Sequence, residues 1–433
     1  MAYQNVGTPR FYVDHLNFLK SLGQLKSSGH GAIRPHNYND LIGLNPSNQT
    51  YHMINQFEGT GNTAGTRSYV RYYGVAPDIY DSSGNLTNYV AILGHNLSYA
   101  ASIVQFGYAL YNDQHTFNDA SYDTYGSEIS NWYASHDDYI NAELFDLEVG
   151  GAGNSPDYDG FSIATNIENL NNYSSFQGEF SAHGDQLFKP LIDIFFQGSQ
   201  SPGGIGVFND LYVSCISHGN YFDMPHSPEL NLTMSREMDG IKRLRTAGGS
   251  DLVDYKYTRQ PDWHYSSPWE LYNKTDDADW TNYLNNQTIA RYGRRNWDLH
   301  FNYLSDRDLR PITESTDPNS NITYFGDGEV SDWPLGGYCI SSDGSTAPPT
   351  LNEVGCVNSG GTWHSVEKNL LTSNDFFSQV IHKTNGGRLP FIFQPDKNNK
   401  TVFAICKFDM DTFSFEQVAN GIYNVKLKIR EVW

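Results

Sequence analysis

Alternation of apolar and polar residues with a period of two constrains this chain more than any other feature. In the range 423–430, the apolar residues Tyr, Val, Leu and Ile alternate with polar ones. Successive side chains of a strand point to opposite faces, so this pattern predicts a strand with one buried face. The segments 297–303 and 230–234 repeat the pattern, and turn signals such as Gly248-Gly249 and Asn420-Gly421 lie between the runs. We therefore predict a mainly β protein built from antiparallel strands.

Helical periodicity is scarce by comparison. The clearest candidate helix runs from Asn374 to Val380, where Asn374 can serve as the N-cap. Phe376, Phe377 and Val380 then share one apolar face of this helix. The sequence predicts a few short helices of this kind.

We predict two antiparallel β-sandwich or jelly-roll-like modules preceded by an arm that docks on them. The arm comprises residues 1–25. The first module, residues 26–190, is rich in Tyr, Asn and Gly and has the character of a carbohydrate-binding module. The second module covers residues 191–433, and an insertion at about 313–368, rich in Gly, Ser, Asp, Asn and Pro, interrupts it.

The charge of the chain limits its partners. Its 28 Lys and Arg residues against 49 Asp and Glu residues give a formal net charge of −21. Such an acidic chain is not held on a phosphate backbone by bulk charge, so we expect no nucleic-acid partner. No apolar run approaches the roughly 18–20 residues needed to span a bilayer, and the first residues do not have the pattern of a secretion signal. We expect synthesis in a cytoplasm, without membrane insertion.

The four cysteines fall into two pairs of different character. Cys215 and Cys406 lie in apolar stretches, so we expect both to be small buried hydrophobes. Cys339 and Cys356 bracket a Gly- and Ser-rich segment, where a disulfide stabilises a loop of this size by ~3 kcal/mol in the chain-entropy model. Two free thiols are the alternative, because the expected compartment is reducing. A zinc site is not expected, since His364 has no partner at ligand spacing.

No established catalytic motif is present. The chain contains no Gly-x-Ser-x-Gly elbow, no phosphate-binding loop and no His-Glu-x-x-His pair. The tightest carboxylate groups, Asp157–Asp159 and Asp409–Asp411, have the character of solvated turns rather than of an ion site. His95 follows an apolar strand, and we expect it to hydrogen-bond the backbone there. We therefore predict no catalytic residues, no metal and no cofactor.

Two basic clusters stand out against the acidic background. Their members are Lys242, Arg243 and Arg245 in the first, and Arg294 and Arg295, with Arg291 nearby, in the second. Arginine and lysine side chains bind carboxylates of a neighbouring subunit well, so both clusters are candidate interface residues. For the first cluster, intrachain pairing with Glu237 and Asp239 is an equally good interpretation.

Aromatic residues cluster in the polar segment 261–280. Trp263, Trp269 and Tyr272 are candidates for contact with a glycan or with a partner protein, because aromatic rings stack on sugars and anchor interfaces. Structural packing is the alternative, since aromatic side chains are more often buried than exposed.

A series of segments spread in order over nearly the whole chain carries a family resemblance. They read GTPRFYVD at 7–14, VAILGHNL at 90–97, YFDMPHSPEL at 221–230, KRLRTAGG at 242–249, GRRNWDL at 293–299 and FIFQPD at 391–396, followed by the ending 423–433. Together they resemble structural proteins of tailed bacteriophages, particularly those of marine and aquatic hosts.

The resemblance implies a non-enzymatic virion protein of the tail or tail tip, similar to distal-tail or baseplate proteins. Such proteins assemble as homo-oligomeric rings and contact other tail proteins. The segment between Cys339 and Cys356 is similar to Cys-bracketed loops of such virion proteins. Two alternatives stay open: a host-attachment adhesin that binds surface glycans through residues 26–190, and a polysaccharide-degrading enzyme using carboxylates such as Asp157, Asp159 or Asp262.

Overall fold

The structure is a computed structural model of the 433-residue chain. It describes residues 6–30, 32–34, 38–45, 50–52, 68–74, 86–95, 102–112, 160–165, 188–198, 211–238, 240–255, 293–310, 321–323, 330–332, 337–340, 362–365, 373–399 and 402–432, with positions 76, 79, 81, 97, 144–145, 150–151 and 370.

The strands are numbered in chain order. The first twelve are β1 Arg10–Asp14, β2 Lys26–His30, β3 Ala32–Arg34, β4 Thr50–His52, β5 Ser68–Tyr73, β6 Asn88–His95, β7 Ser102–Asn112, β8 Leu144–Phe145, β9 Gly150–Gly151, β10 Gly160–Thr165, β11 Phe188–Gly198 and β12 Leu211–Val213. The others are β13 Cys215–Asp223, β14 Thr233–Glu237, β15 Ile241–Arg245, β16 Asp251–Tyr255, β17 Arg294–Ser305, β18 Asn321–Thr323, β19 Val330–Asp332, β20 Gly337–Ile340, β21 Thr362–Ser365, β22 Phe391–Gln394, β23 Ala404–Phe408, β24 Phe415–Ala419 and β25 Ile422–Glu431. The helices are α1 His15–Ser21, a 3₁₀ helix Tyr38–Leu41, α2 Asp306–Leu309 and a π-helix Phe377–His382.

A twelve-stranded antiparallel sheet, here called the main sheet, organises the described part of the chain. Its order is β14-β17-β25-β23-β22-β1-β13-β6-β10-β8-β9, with β24 paired to β25. This confirms the mainly β, antiparallel class that the period-two pattern predicts. The two best-defined strand predictions are also confirmed: β17 covers 297–303, and β25 covers 423–430 with its apolar residues buried on one face.

The N-terminal segment is an internal part of this sheet rather than an arm docked on it. Strand β1 lies between β22 and β13, and Phe11, Tyr12 and Val13 are all buried. Three consecutive buried side chains show that both faces of the sheet are covered at β1, and the two partner strands place β1 inside the sheet. The guanidinium of Arg10 fixes the end of the strand through a 2.6 Å contact from its Nε to Oδ1 of Asp223.

The strand pairing crosses the predicted boundary between the two modules at residue 190. Strand β13 pairs with β6, so that Ile216 lies opposite Ile92, although the two residues fall in different predicted modules. Strand β11 runs across the predicted boundary and pairs with both β5 and β7. The apolar run around Pro190 therefore continues one strand instead of beginning a new module.

Two apolar cores lie on one face of the main sheet. The first forms against a four-stranded sheet of order β2-β5-β11-β7 and includes Val70, Tyr72, Val90, Ile92, Ile192, Ile194 and Ile216. The second is rich in phenylalanine and includes Phe11, Phe222, Trp297, Phe301, Phe376, Phe391, Phe393 and Leu427. A third core, with Tyr12, Tyr89, Leu93 and Phe161, covers the opposite face near the middle of the sheet.

The helix predicted at 374–380 exists, but it differs in its cap and its type. It is a π-helix, and Oδ1 of Asp375, rather than Asn374, accepts a 2.8 Å hydrogen bond from the backbone N–H of Ser378. Phe376 and Val380 are buried, as the shared apolar face predicts. No helix within the described ranges is both long and apolar enough to cross a membrane.

The insertion at about 313–368 contains two short antiparallel strand pairs in its described residues. Strands β18 and β19 form one, and strands β20 and β21 form the other. Cys339 lies in β20 opposite Trp363. Cys356 lies outside the described residues, so the disulfide stays a prediction.

Candidate functional site

The first basic cluster lies on a two-stranded hairpin that forms a sheet of its own. Strands β15 and β16 place Lys242 opposite Asp254 and Arg245 opposite Asp251. The turn between them contains Gly249 at φ +85°, and the backbone N–H of Thr246 donates a 2.9 Å hydrogen bond to the carbonyl of Ser250. The Gly248-Gly249 signal therefore predicted this turn correctly.

This hairpin exposes apolar side chains on both of its faces. Leu244 lies opposite Leu252, and Val253 points to the other face; all three are exposed. A soluble surface rarely groups large apolar side chains, and where it does the group marks an interaction site. The hairpin thus combines apolar contact area with the cations Lys242 and Arg243.

Strand β14 precedes the hairpin and forms the edge of the main sheet. It pairs with β17 on one side, and no other described strand pairs with it. Large exposed apolar residues flank it at both ends: Leu230 before it, fully exposed at 101%, and Met238 after it. An exposed edge strand is a template for pairing with another chain, and natural proteins usually protect such edges.

Tyr303 extends this surface. The backbone N–H of Glu229 donates a 2.8 Å hydrogen bond to the carbonyl of His300, which places the neighbouring Leu230 beside this end of β17. A register shift in β17 at Phe301–Leu304 turns Tyr303 outward, with 76% exposure and φ +61°. A left-handed conformation is costly for a bulky residue, so the backbone of the exposed Tyr303 is strained.

We call this whole region the edge surface: Leu230, strand β14, Met238, the hairpin β15–β16 and Tyr303. Its charge differs from that of the rest of the chain. Residues 230–255 hold four cationic and four acidic residues, which cancel, within a chain of net charge −21. Copies of such a chain repel one another, and the repulsion is smallest where the local charge is neutral. Close approach of two copies at the edge surface therefore costs less than at a strongly acidic part of the surface.

The second basic cluster behaves differently. Nη2 of Arg295 lies 2.8 Å from Oε1 of the buried Glu431, and Nε lies 3.1 Å from Oε2. The same guanidinium donates to the carbonyl of Phe403 at 2.9 Å and lies over the ring of Trp297. Arg295 is thus bound inside the sheet rather than presented to a partner. Arg294 is half-buried and lies opposite Glu237 in the ladder.

Of the two acidic residues named as intrachain partners of the first cluster, the structure describes Glu237, which pairs with another arginine. Oε2 of Glu237 accepts from Nε of Arg430 at 2.9 Å. Asp239 lies outside the described residues. Arg245 instead pairs with Asp251 at 3.3 Å, and both side chains are largely exposed, at 77% and 63%.

The two arginine pairs should respond very differently to substitution. Arg295→Met leaves the carboxylate of Glu431 buried without its cation, so we expect the free energy of unfolding to fall by about 3 kcal/mol. Arg245→Met removes an exposed pair, for which we expect less than about 0.5 kcal/mol. Urea unfolding of both variants measures this difference. Equal losses would contradict the assignment of Arg295 to the interior.

His95 stabilises the end of strand β6, as the sequence predicts. Its Nδ1 accepts a 3.2 Å hydrogen bond from the backbone N–H of Leu97, and its Nε2 lies 2.9 Å from Oγ of Ser162. Burial lowers the pKa of His95 to about 3. The ring is therefore neutral and structural at ordinary pH.

His218 is a second buried structural histidine. Its Nδ1 lies 2.8 Å from the carbonyl oxygen of Tyr89, and its Nε2 accepts from the backbone N–H of Ala76 at 3.0 Å. Burial lowers its pKa to about 4, although the hydrogen bond with Tyr89 acts in the opposite direction.

Buried titratable side chains form hydrogen bonds at two helix ends. Oδ1 of Asp14 caps α1 through the N–H of Asn17 at 3.0 Å, and burial raises the pKa of this carboxyl to about 7. Nζ of Lys383 donates to Oε1 of Gln379 at 2.7 Å, and burial lowers the pKa of this amine to about 7. Among the described side chains, no three His, Cys, Asp or Glu residues are grouped as metal ligands.

Several predicted residues can be placed and others cannot. Cys215 and Cys406 are buried among apolar side chains, as predicted. Trp263, Trp269 and Tyr272 lie outside the described residues, as do Asp157, Asp159 and Asp262. The exposed position of Tyr303 was missed, because the alternation of β17 gives no sign of its bulge.

Comparison with known proteins gives no assignment. No protein-family model matches the chain, and no curated protein or solved structure matches it either.

Proposed function

We propose that the protein is a non-enzymatic structural subunit that acts by assembling with further copies and other proteins of a particle. The observation that carries this proposal is the edge surface. It combines an exposed edge strand, exposed apolar residues at both ends of that strand, and a segment, 230–255, whose charges cancel in an otherwise acidic chain. Each of these features favours contact between proteins.

The particle we propose is the virion of a tailed bacteriophage, with the chain in the tail or tail tip. The ordered segments that resemble phage structural proteins support this choice. The function of such a subunit is to hold its neighbours in place within the particle. Rings of identical subunits form through heterologous interfaces whose rotation closes. The broad main sheet and its three apolar cores suit a rigid building block.

Omission of the chain from the phage tests this role. We expect particles made without it to lack a complete tail in electron micrographs, because neighbouring tail proteins lose the surface on which they assemble. Antibodies against the full chain should label the tail of wild-type particles. Supplying the wild-type chain in trans should restore the tail, which controls for effects on neighbouring genes. An intact tail on particles without the chain would refute the proposal.

Glycan binding through residues 26–190 is the alternative function. The aromatic residues that motivate it lie outside the described residues, so no contact in the structure favours it. Titration of the full chain with host surface polysaccharide decides the matter, and absence of binding at millimolar ligand would remove this alternative.

A further inference from the structure

We infer that the edge surface binds a second copy of this chain, through antiparallel pairing of the two β14 strands about a two-fold axis at Ser235. The inference rests on the proposed structural role and names the partner of that surface. Pairing of this kind extends the main sheet across the contact, as in recognition by strand addition.

The sequence of β14 is compatible with itself in this register. Pairing centred on Ser235 places Thr233 opposite Glu237 of the second copy, and Met234 opposite Arg236 of the second copy. No two like charges then lie directly opposite each other, which matters because such pairs destabilise a sheet. Only Ser235 faces its own counterpart, and a small hydroxyl side chain tolerates that position.

The two-fold axis also brings the exposed apolar residues together. Leu230 and Tyr303 lie at the start of β14, whereas Met238 and the hairpin with Leu244 follow its end. Antiparallel pairing sets the start of one strand beside the end of the other. Each copy therefore presents its hairpin to Leu230 and Tyr303 of the second copy, and both apolar groups lose their exposure to water.

Charge favours this partner over a strongly charged one. Two copies of net charge −21 repel each other over most of their surface, but the segment 230–255 is neutral. Within each hairpin, Lys242 lies opposite Asp254 and Arg245 opposite Asp251, so the hairpin that meets Leu230 and Tyr303 of the second copy carries acidic residues beside its cations. A contact with two-fold symmetry closes with two copies, so a ring needs a second, heterologous contact elsewhere.

Cross-linking tests the register directly. In the full chain, Ser235→Cys places two thiols on directly opposed residues, about 5 Å apart between Cβ atoms. We expect it to form a covalent dimer on mild oxidation. Thr233→Cys is the matched control, since its two copies stand four residues apart along the strand, about 14 Å. The wild-type chain gives the background from the native cysteines. Cross-linking of Thr233→Cys but not of Ser235→Cys would overturn the register.

Association in solution tests the surface. We expect the wild-type chain to be a dimer, or a multiple of it, by light scattering coupled to gel filtration. Leu230→Asp and Leu244→Asp should give half the wild-type mass with the far-UV circular dichroism spectrum of the wild-type chain, because both side chains are exposed in the single chain and its fold does not depend on them. Val418→Asp, an exposed residue of β24 outside the edge surface, should leave the mass unchanged.

The outcomes separate this inference from the proposed function. A monomeric wild-type chain, or an oligomer that neither aspartate variant changes, overturns pairing through β14, and the test by omission from the phage is unaffected. Binding of a different protein or of lipid vesicles to the edge surface of a monomeric chain also overturns it. Intact tails in particles lacking the chain refute the structural role, whatever the oligomeric state.

Discussion

Replacement of Gly219 by alanine is expected to prevent the native fold from forming. Gly219 lies in β13 opposite Asp14, where β1 passes into α1. A Cβ atom at this position would overlap the carbonyl oxygen of Val13 and lie 2.9 Å from the backbone nitrogen of His15. These are backbone atoms of an internal strand, so they cannot move aside without breaking its ladder. We expect a loss of more than about 5 kcal/mol, comparable to the whole stability of many domains.

Gly421→Ala is the matched control for this variant. Gly421 lies in the turn before β25 and has a left-handed backbone, with φ +66°. No atom lies within 4 Å of the place that a Cβ atom would take there. Only the cost of the left-handed conformation applies, about 1 kcal/mol. Soluble yield and urea unfolding of both variants measure the difference. A folded Gly219→Ala chain with near wild-type stability would show that β1 and β13 are not packed as described.

Acidification below about pH 6.5 should destabilise the protein steeply. Burial lowers the pKa of His95 to about 3 and that of His218 to about 4, and it lowers the pKa of His15 well below its usual value of 6.5. Between these values and 6.5, the unfolded chain binds three protons that the folded chain does not. The stability conferred by the neutral rings is therefore fully present above pH 6.5 and is lost as the pH falls.

Asp14 opposes this loss but does not cancel it. Burial raises its pKa to about 7, so the folded chain binds its proton at a higher pH than the unfolded chain does, and acidification from pH 7 to pH 4 favours folding at this group. These three histidines against one carboxyl leave a net uptake of at least two protons on unfolding, to which the half-buried His382, whose pKa burial also lowers, adds. Each proton is worth about 1.4 kcal/mol per pH unit, so we expect a slope of about 3 kcal/mol per pH unit between about pH 6 and pH 4.

Urea unfolding at a series of pH values measures this slope. His95→Gln should lower it by about one proton, because one of the three buried rings is gone. The wild-type chain, unfolded in the same series of buffers, is the control for this variant. A flat stability profile between pH 6.5 and pH 4.5 would contradict the buried, neutral state of these rings.

The alternating strands could be predicted from the sequence because one face of each strand is exposed to solvent and the other is buried. In β25, Val425 and Leu427 alternate with exposed lysines, and burial follows the alternation residue by residue. The internal position of β1 could not be predicted in this way. Its partners, β13 and β22, lie more than two hundred residues away in the chain, and a continuous apolar run such as Phe11-Tyr12-Val13 does not tell which distant strand will cover it.

The candidate site was only partly visible in the sequence for a similar reason. The cluster of Lys242, Arg243 and Arg245 could be recognised by composition, and it does lie on an exposed hairpin. Arg295 has the same local signature, yet it is bound by Glu431, a partner that only the pairing of β17 with β25 brings near. The alternation at 230–234 predicts a strand that begins at Leu230. Strand β14 begins three residues later, at Thr233, so Leu230 lies outside the strand and is exposed.

The threading of the N-terminal strand between two late strands has a consequence for biosynthesis. Residues 10–14 leave the ribosome well before β22 at 391–394 is made. At ~5–20 residues per second, the first strand waits roughly 20–80 s for its second neighbour. Until then one edge of β1 has no partner strand, and the apolar side chains of Phe11 and Val13 can contact nascent chains on adjacent ribosomes. Expression at lower temperature or with holding chaperones should raise the recovered yield, and a chain truncated before residue 391 should aggregate.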